Sequence, residues 1–551
     1  MLCKKNLYLA LTAITSFILF FEITTVQAQN NYLPGIIYIK YEGSTQLAKR
    51  GGSSLASVKA NVRRYMQPYG LQRISPLLTD GQKRKATQIA NNMSTQLRGK
   101  TDPERFNQVL GSIDQIFFDT NYDALTLASK LSGLPGVEYA EPHYLRVLQF
   151  EPNDPEVQSN LELMKFQKAW DISQGSEEVV IAIVDSGVDY THDDLDSKLW
   201  VNQDEIPAAV KSDFDLNNDG IVESLEIKDR LVAINGNFNG DTLVNLEDAL
   251  HPDSPLMDGI DNDENDFVDD LFGWDFWESG LTNADITSDN NPVGSGSNHG
   301  THVAGIATAE VNNETAIAGT GFDSRFMAIK AGGIPDVPST PVDESSQIGF
   351  GFNGIIYAAL NGADVINTSW GSGASSQVEQ DLINSIADLG VVLVAAAGNE
   401  SQDGIIFPAG YRNALAVGSV NHRLGVEKIK TNFSNFGFEV DVFATGNSIR
   451  STVFDNATGI LSGTSMASPA VAGLAGLMKA EHPNWSAPQI LMQIRNSSEF
   501  IDNVNLGRED KMGHGLIDAE RSLGDPLPGI RIKSATFTDL GGDKLGIGEP
   551  G

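Results

Sequence analysis

The sequence predicts an α/β fold in which a parallel β-sheet is covered by helices on both faces, preceded by a small α+β domain. Two observations lead to this class. Short apolar runs recur through residues 151–525 and are separated by stretches with helical spacing; the runs are 179–184, 326–330, 365–367, 391–396 and 414–420. Continuous apolar runs of this length are typical of parallel strands that are buried on both faces.

Helices are expected between these strands, near 346–361, 377–389, 465–480 and 486–497. In open parallel sheets, ligands bind beyond the carboxyl ends of the strands. Asp185, Asn367 and Asn399 each fall at or just after the end of a predicted strand. The sequence therefore predicts a functional site at that edge of the sheet.

The first 28 residues predict a secretory signal peptide. Lys4 and Lys5 precede an apolar run over 7–21, and small residues at 26–28 suit a signal peptidase. The run is short for a membrane span, and no later segment of the sequence is long and apolar enough to be one. We therefore expect a secreted, extracellular protein, whose association with the cell surface would need a further region after Gly551.

The single cysteine, Cys3, lies inside this signal. The mature protein would then contain no disulfide, so we expect its stability outside the cell to come from packing or from metal ions.

Residues 29–150 predict the small α+β domain, with strands at 35–40 and 136–142 and a helix over 122–131. A loop rich in proline and acidic residues at 151–155 separates it from the main domain. The main domain spans 151–525 and carries an acidic insertion at about 200–290. Residues 526–551 predict a linker and the start of a further domain.

Charge is unevenly distributed along the chain. The formal net charge is −34, yet residues 29–150 hold fifteen Lys and Arg against nine Asp and Glu. A basic leader and an acidic main domain are expected to attract each other; the alternative is that the acidity only keeps a secreted protein soluble. The acidity of the main domain argues against nucleic-acid binding, which requires a basic face.

Three short motifs each supply one group that acyl-transfer chemistry needs. They offer a carboxylate at Asp185, an imidazole at His299 and a hydroxyl at Ser465. A hydroxyl is a weak nucleophile near neutral pH, so it needs an adjacent base, and the base needs a carboxylate to orient it. The segment after Ser465 predicts a helix whose N-terminus would favour developing negative charge.

The motifs resemble those of the subtilisin-like serine endopeptidases, the subtilase family. The aspartate motif is IVDSGVD at 183–189, the histidine motif HGTHVAG at 299–305 and the serine motif GTSMASP at 463–469. The resemblance covers about residues 155–525 and implies that Ser465 is the nucleophile, His299 the base and Asp185 its partner. The segment at 137–142 resembles the family's inhibitory propeptide.

The resemblance also implies the groups that bind substrate. Asn399, in the segment 396–399, matches the side-chain donor of the family's oxyanion hole. The edge segment Ser369, Trp370 and Gly371 would pair with an extended protein or peptide substrate. Ile406 would make the pocket for the residue before the cleaved bond apolar. We expect a monomer, made as a precursor that cleaves itself and whose propeptide is its own partner.

Three other interpretations remain open at this point. His299 and His302 could form a zinc pair, although no His-Glu-x-x-His motif is present. A sedolisin-type carboxyl peptidase shares a serine motif but uses a glutamate base, which the full histidine motif argues against. A catalytically silent, calcium-dependent binding or adhesion protein could also use this fold.

The acidic insertion predicts structural calcium sites, whereas catalysis needs no cofactor. A twelve-residue stretch places oxygen ligands, a carbonyl and a turn glycine at the spacing of a calcium loop; its ligands would be Asp215, Asn217, Asp219, Ile221, Glu223 and Glu226. A second set, Asp261, Asp263 and Asn265, lies where six carboxylates fall within the ten residues 261–270. The resemblance adds Asp194 as a calcium ligand. The alternative is that these acidic loops are simply solvated.

Overall fold

The computed structural model describes residues 32–43, 54–77, 112–144, 152–155, 159–279, 287–294, 297–332, 347–423, 425 and 427–528. The chain divides into two compact units, Met1–Leu148 and Gln149–Gly551. The predicted signal peptide lies outside the described residues, and so does most of the predicted C-terminal linker.

In the residues that the structure describes, the first unit forms a four-stranded antiparallel sheet with two α-helices. In chain order its elements are β1 (Tyr32–Tyr41), α1 (Leu55–Met66), β2 (Arg73–Pro76), β3 (Ile113–Phe117), α2 (Ala124–Ser132) and β4 (Val137–Tyr144). The strand order is β2-β3-β1-β4. Alternate residues of β1, among them Ile37 and Ile39, are buried and share a core with residues of both helices such as Val62 and Leu131. This pattern is typical of a sheet with one covered face.

The second unit is built on an eight-stranded sheet of order β12-β11-β10-β9-β5-β8-β6-β7. Its strands are β5 (Val180–Asp185), β6 (Gly273–Ser279), β7 (Thr287–Asp289), β8 (Arg325–Lys330), β9 (Val365–Thr368), β10 (Val392–Ala396), β11 (Ala414–Val420) and β12 (Val442–Thr445). All neighbouring pairs are parallel except β6 and β7 at one edge. A separate hairpin joins β13 (Ile449–Val453) to β14 (Ala457–Leu461).

Helices and short 3₁₀ turns complete this unit. The helices are α3 (Ser159–Leu163), α4 (Phe166–Trp170), α5 (Lys211–Phe214), α6 (Ser224–Ile234), α7 (His299–Thr308), α8 (Gly351–Leu360), α9 (Gln377–Asp388), α10 (Thr464–Glu481), α11 (Ala487–Ser497) and α12 (Ala519–Ser522). In the part of the chain that the structure describes, no helix has both the length and the apolar character needed to cross a lipid bilayer.

Successive residues of the central strand β5 point into two different cores. Ile181 and Ile183 belong to the larger core, which includes residues of α7 and α10. Val180, Ala182 and Val184 belong to the other core, which includes residues of α8 and α9. Because side chains alternate across a strand, these two cores lie on opposite faces of the sheet. The predicted fold class, a mostly parallel sheet with helices on both faces, is confirmed.

The sequence prediction differs from the structure at several elements. The helix predicted near 346–361 begins only at Gly351, because the residues before it, from 347, form a bridge and bends. The helix predicted over 465–480 is α10 and is slightly longer. The strand β12 and the β13–β14 hairpin were not predicted, since each segment is only four or five residues long and lacks a strong apolar pattern.

Helix α10 approaches the loop before β8 so closely that a glycine is needed at the contact. A Cβ added to Gly473 would lie 2.1 Å from Thr320 Oγ1 and 2.6 Å from the backbone nitrogen of Gly321. We expect Gly473→Ala to lower the free energy of unfolding by roughly 1–3 kcal/mol through overpacking. Gly373→Ala is the control, because no atom lies within 4 Å of a Cβ added there. Equal urea midpoints for the two variants would contradict this account.

Candidate active site

Asp185 and His299 form a direct hydrogen bond at the carboxyl edge of the sheet. Strand β5 ends on Asp185 and helix α7 begins at His299, whose Nδ1 lies 2.7 Å from Asp185 Oδ1. The same oxygen accepts the backbone N–H of Ser186 at 2.8 Å. Glycine at 300 permits this approach, because an added Cβ would lie 2.2 Å from Gly187 O and 3.3 Å from Asp185 Cβ.

The surroundings of His299 raise its pKa above the ordinary value of 6.5. Burial alone lowers the pKa, but the negative charge of Asp185 and the hydrogen bond that the imidazole donates to Asp185 together outweigh it. Asp185 is almost fully buried, whereas the His299 side chain is 35% exposed. The imidazole is therefore anchored on its Nδ1 side and accessible from the cavity.

Ser465 is the second residue of α10, where the backbone N–H groups have no partner within the helix. Its hydroxyl donates to the carbonyl oxygen of Ser369 at 2.9 Å, and the Ser369 hydroxyl donates back to the carbonyl oxygen of Ser465 at 2.9 Å. Pro469 has no N–H to offer the Ser465 carbonyl four residues earlier. The Ser369 hydroxyl takes the place of that missing donor.

Asn367 supports this pair of serines from the end of β9. Its Nδ2 donates to Ser369 Oγ at 3.0 Å, and its Oδ1 accepts the hydroxyl of Ser468 at 2.6 Å. All four side chains are buried. The sequence predicts Asn367 at a strand end but indicates no role for it, and the structure shows that it ties β9 to the first turns of α10.

Asn399 is oriented by α10. Its Oδ1 accepts the backbone N–H of Thr464 at 2.9 Å and the Thr464 hydroxyl at 3.0 Å. The acceptor end of the amide is thus engaged, and the donor Nδ2 lies 3.5 Å from the position of a Cβ added to Gly463. Gly398 has a φ of +109°, and a Cβ there would lie 2.3 Å from Asn435 Nδ2, so the turn that presents Asn399 requires glycine.

One open cavity of about 1030 Å³ brings these residues together. Its lining includes Asp185, Ser186, Ser297, Asn298, His299, Ile348, Gly349, Gly351, Phe352, Ser369, Trp370, Gly371, Ser372, Glu379, Ala396, Gly398, Asn399, Glu400, Ile406, Phe407, Leu461, Thr464 and Ser465. Eight of the predicted site residues, including Ile406, therefore share one cleft. The predicted edge segment 369–371 continues into Ser372, which pairs with Phe407 through two backbone hydrogen bonds.

Trp370 is held firmly in this cavity. Its indole Nε1 donates to the carbonyl oxygen of Val184 at 2.7 Å, and its ring meets Phe352 edge-on with centroids 5.7 Å apart. A Cβ added to Gly371 would lie 2.6 Å from Ile406 Cδ1, so Ile406 packs directly against the edge segment.

The two histidines of α7 have separate partners. His302 is fully buried, and its Nε2 bonds the carbonyl oxygen of Ile449 at 3.1 Å, whereas His299 bonds Asp185. Burial lowers the pKa of His302 to about 4. This arrangement gives no support to a zinc pair.

The predicted calcium loop at 215–226 folds around its own backbone. Asp215 accepts the N–H groups of Asp219 and Gly220, and Glu226 accepts those of Asn217 and Glu223 at 2.9 and 3.1 Å. The Glu223 carboxylate forms an ion pair with Arg325. Asn217 and Asp219 accept N–H groups within the loop, and the side chain of Ile221 is exposed.

A different set of carboxylates converges in the second cluster. Among the residues that the structure describes, the one group of three acidic, histidine or cysteine side chains with ligand atoms all within 4.8 Å is Glu205, Asp263 and Asp270. Burial raises the pKa of Glu205 to about 7 and that of Asp270 to about 6. Carboxylates buried this close together fit a divalent cation.

Of these three residues, the sequence predicts only Asp263 as a ligand; Glu205 and Asp270 are not among the predicted ligands. Glu205 is distant in sequence, so only the folded chain reveals it. Asp261 instead accepts the N–H groups of Asn265 and Asp266, at 3.0 and 2.8 Å. The Asn265 side chain donates to Asp263 and Asp270.

Asp194 is fully buried and lies against a loop that begins after α7. It accepts Asn313 Nδ2 at 2.9 Å and the N–H of Ile317 at 3.1 Å. Burial raises its pKa to about 7, and the negative charge of the buried Asp154 adds to the rise. Asp154 itself accepts the N–H of Asn312 at 3.0 Å. Oxygen ligands of this kind are those that calcium prefers.

Comparisons with known proteins show which family this chain resembles. A sequence model of the Subtilase family matches residues 176–515, more than half of the chain. Thermophilic serine proteinase from Bacillus sp. (strain AK1) is 32% identical over 367 residues, which are 66% of this chain and 68% of that protein. Subtilisin from Bacillus pumilus is 36% identical over 239 residues, 43% of this chain and 80% of its own length. A solved protease structure from Pseudoalteromonas arctica aligns with a TM-score of 0.43 and 25% identity, over 68% of this chain and 98% of its own.

The Asp185–His299 contact makes a prediction about protonation. We expect Asp185→Asn to lower the pKa of His299 below 6.5, because the amide removes the opposing charge and leaves the effect of burial. The pKa is measured from imidazole NMR signals as a function of pH. Asp213→Asn, at an exposed position of α5, is the control and should leave the pKa unchanged. An unaltered His299 titration in Asp185→Asn would contradict the assigned cause.

Proposed function

Because the chain belongs to the subtilase family of serine endopeptidases, we propose that Ser465, His299 and Asp185 are the groups that hydrolyse its peptide substrates. The observation that carries this proposal is the 2.7 Å contact between Asp185 and His299, in the same cavity as Ser465. In this arrangement His299 has an anchored nitrogen and a second one accessible from the cavity, as a general base requires.

In the proposed reaction the Ser465 hydroxyl turns from the carbonyl oxygen of Ser369 toward His299 Nε2. The imidazole takes the proton while Ser465 Oγ forms a bond to the substrate carbonyl carbon. The carbon–nitrogen bond then breaks as His299 gives the proton to the leaving amine. Water, deprotonated by the same imidazole, releases the acyl group from Ser465.

Asn399 and the N-terminus of α10 would stabilise the oxyanion formed in each step. The Asn399 acceptor is occupied by Thr464, which leaves its Nδ2 as a donor near Gly463. The backbone N–H of Ser465 is the second donor. Because these groups are fixed before substrate arrives, they need no reorganisation when the charge develops.

An extended substrate would pair with the edge segment Ser369, Trp370 and Gly371. A strand added to this edge brings backbone N–H groups that compete for the Ser369 carbonyl oxygen, which accepts the Ser465 hydroxyl in the structure. Substrate binding would then release that hydroxyl toward His299. Backbone pairing of this kind gives affinity without strict sequence demand.

The N-terminal part of the chain supports a secreted precursor. Residues 1–28 have the composition of a signal peptide, and the basic unit that follows has its own sheet and its own core. We propose that residues 29 to about 150 act as an inhibitory propeptide that the enzyme removes from itself. The opposite charges of this leader and of the main domain favour their association.

Calcium is the proposed structural cofactor. Glu205, Asp263 and Asp270 would hold one ion, and Asp194 with Asn313 and neighbouring oxygens another. Each site buries carboxylates that form no ion pair with a Lys or Arg among the described residues. A bound cation offsets the repulsion and the desolvation of these groups. The 215–226 loop has the ligand order of a third site.

Self-processing is tested by the intact mass of the secreted product. We expect the wild-type protein to lose residues 29 to about 150 in millimolar calcium, and Ser465→Ala to retain them, because the nucleophile is missing. Ser369→Ala is compared with Ser465→Ala, because it removes a neighbouring hydroxyl but keeps the nucleophile. Processing of Ser465→Ala to the wild-type mass would contradict self-cleavage. Failure of wild type to react with a serine-directed phosphonylating reagent would favour the silent binding protein.

Calcium removal should lower thermal stability. A cation that binds only the folded state adds about 2.7 kcal/mol at 100 times its Kd. We expect a chelator to lower the Tm of the wild type, and Glu205→Gln and Asp194→Asn each to bind one calcium ion fewer in a calorimetric titration. Asp215→Asn tests the loop in the same way, and Asp213→Asn, at an exposed site outside the three sets, is the control. Unchanged stoichiometry in Glu205→Gln would exclude the cluster as a calcium site.

A further inference from the structure

The cavity around Ser465 is negatively charged at its lining. Of the described residues that line it, none is Lys or Arg, whereas Asp185, Glu379 and Glu400 carry carboxylates. Asp185 is paired with His299 and Glu400 accepts Asn435 Nδ2 at 2.6 Å. Glu379 is different, because it comes from α9 and has no part in the proposed catalytic groups or their supports.

Glu379 is held in a fixed position by a buried tyrosine. The Tyr411 hydroxyl donates to Glu379 Oε2, and the same hydroxyl accepts the backbone N–H of Ser376 at 2.7 Å. Burial, followed by the hydrogen bond to Glu379, raises the pKa of Tyr411 to about 12, so the hydroxyl keeps its proton across the working pH range. Among the described residues no Lys or Arg forms an ion pair with Glu379.

An aromatic pair connects this carboxylate to the edge segment of the cleft. Tyr411 packs on Phe407 with ring centroids 4.7 Å apart, and Phe407 pairs through its backbone with Ser372. Ser372 is three residues from Ser369, which spans at most about 10 Å of extended chain. The carboxylate is therefore linked through Tyr411 and Phe407 to Ser372 at the end of the edge segment, and it lines the same cleft.

We propose that Glu379 gives this part of the cleft a preference for a basic substrate side chain, Arg or Lys. The aliphatic stem of such a side chain would pack against Phe407 and the Trp370 face of the cavity, and its cationic head would meet the Glu379 carboxylate. This inference rests on the proposed pairing of substrate with Ser369, Trp370 and Gly371. It narrows the broad specificity that backbone pairing alone would give.

The test uses quenched fluorescent peptides in which a single Arg is moved through the positions on either side of the cleaved bond. Each peptide is compared with its citrulline counterpart, which has the same shape without the charge. We expect one position, removed from the cleaved bond, at which Arg exceeds citrulline in kcat/KM by about 10- to 100-fold. That ratio should fall as ionic strength rises.

Two variants assign the preference to Glu379. In Glu379→Gln the Arg-to-citrulline ratio should fall to near one, and in Glu379→Lys a Glu-containing peptide should be preferred over its Gln counterpart. Asp388→Asn removes one exposed charge from the same helix and should keep the wild-type ratio. A ratio of one at every position in the wild type, or an unchanged ratio in Glu379→Gln, would overturn the proposal.

Labelling of Ser465 by a serine-directed phosphonylating reagent, in the same samples, separates two kinds of failure. A labelled wild-type enzyme with no Arg preference overturns the role of Glu379 and leaves the catalytic assignment standing. A wild-type protein that is neither labelled nor active on any peptide overturns the catalytic assignment, and this proposal with it.

Discussion

The start of helix α10 is the constraint on which the rest of the site depends. Pro469 leaves the carbonyl oxygen of Ser465 without its helical donor, and the Ser369 hydroxyl supplies one. This hydrogen bond joins the start of α10, which carries the Ser465 hydroxyl, to the edge segment of the cleft. The Ser465 hydroxyl in turn bonds the Ser369 carbonyl oxygen, so the proposed nucleophile and the proposed substrate-binding backbone are positioned by the same pair of residues.

The same helix start also fixes Asn399, through Thr464. The Asn399 amide, the Ser465 hydroxyl and the edge segment are therefore all positioned by one rigid element, α10. Asp185 and His299 are positioned by β5 and α7. Since α7 and α10 share the core on one face of the sheet, the two halves of the site are joined by packing. The geometry of the site therefore depends on packing in the core as much as on contacts in the cleft.

Excess negative charge is a second constraint, and the structure accommodates it in two ways. Buried carboxylates such as Glu205 and Asp270 are grouped where a divalent cation could neutralise them, which suits a chain whose single cysteine, Cys3, cannot form an internal disulfide. In the cleft, by contrast, Glu379 is left open toward the cavity and bonded to a neutral tyrosine. A cation beside Glu379 would come from the substrate. The excess negative charge that disfavours folding can therefore contribute to substrate recognition.

Whether the sequence could predict each of these features depends on how close together in the chain the residues of that feature lie. Asp185, His299 and Ser465 lie in short motifs. Close backbone contacts, as at Gly300, restrict the neighbouring residue types, so these motifs can be recognised in the sequence. Glu205 joins Asp263, and Glu379 joins Tyr411, only after distant segments fold together, and neither pair has a spacing that a linear pattern could reveal. The predicted calcium loop shows the opposite limit: its spacing at 215–226 is regular, yet Glu223 pairs with Arg325. A ligand pattern fixes the order of oxygens along the chain, whereas the charges that surround them are decided by tertiary packing.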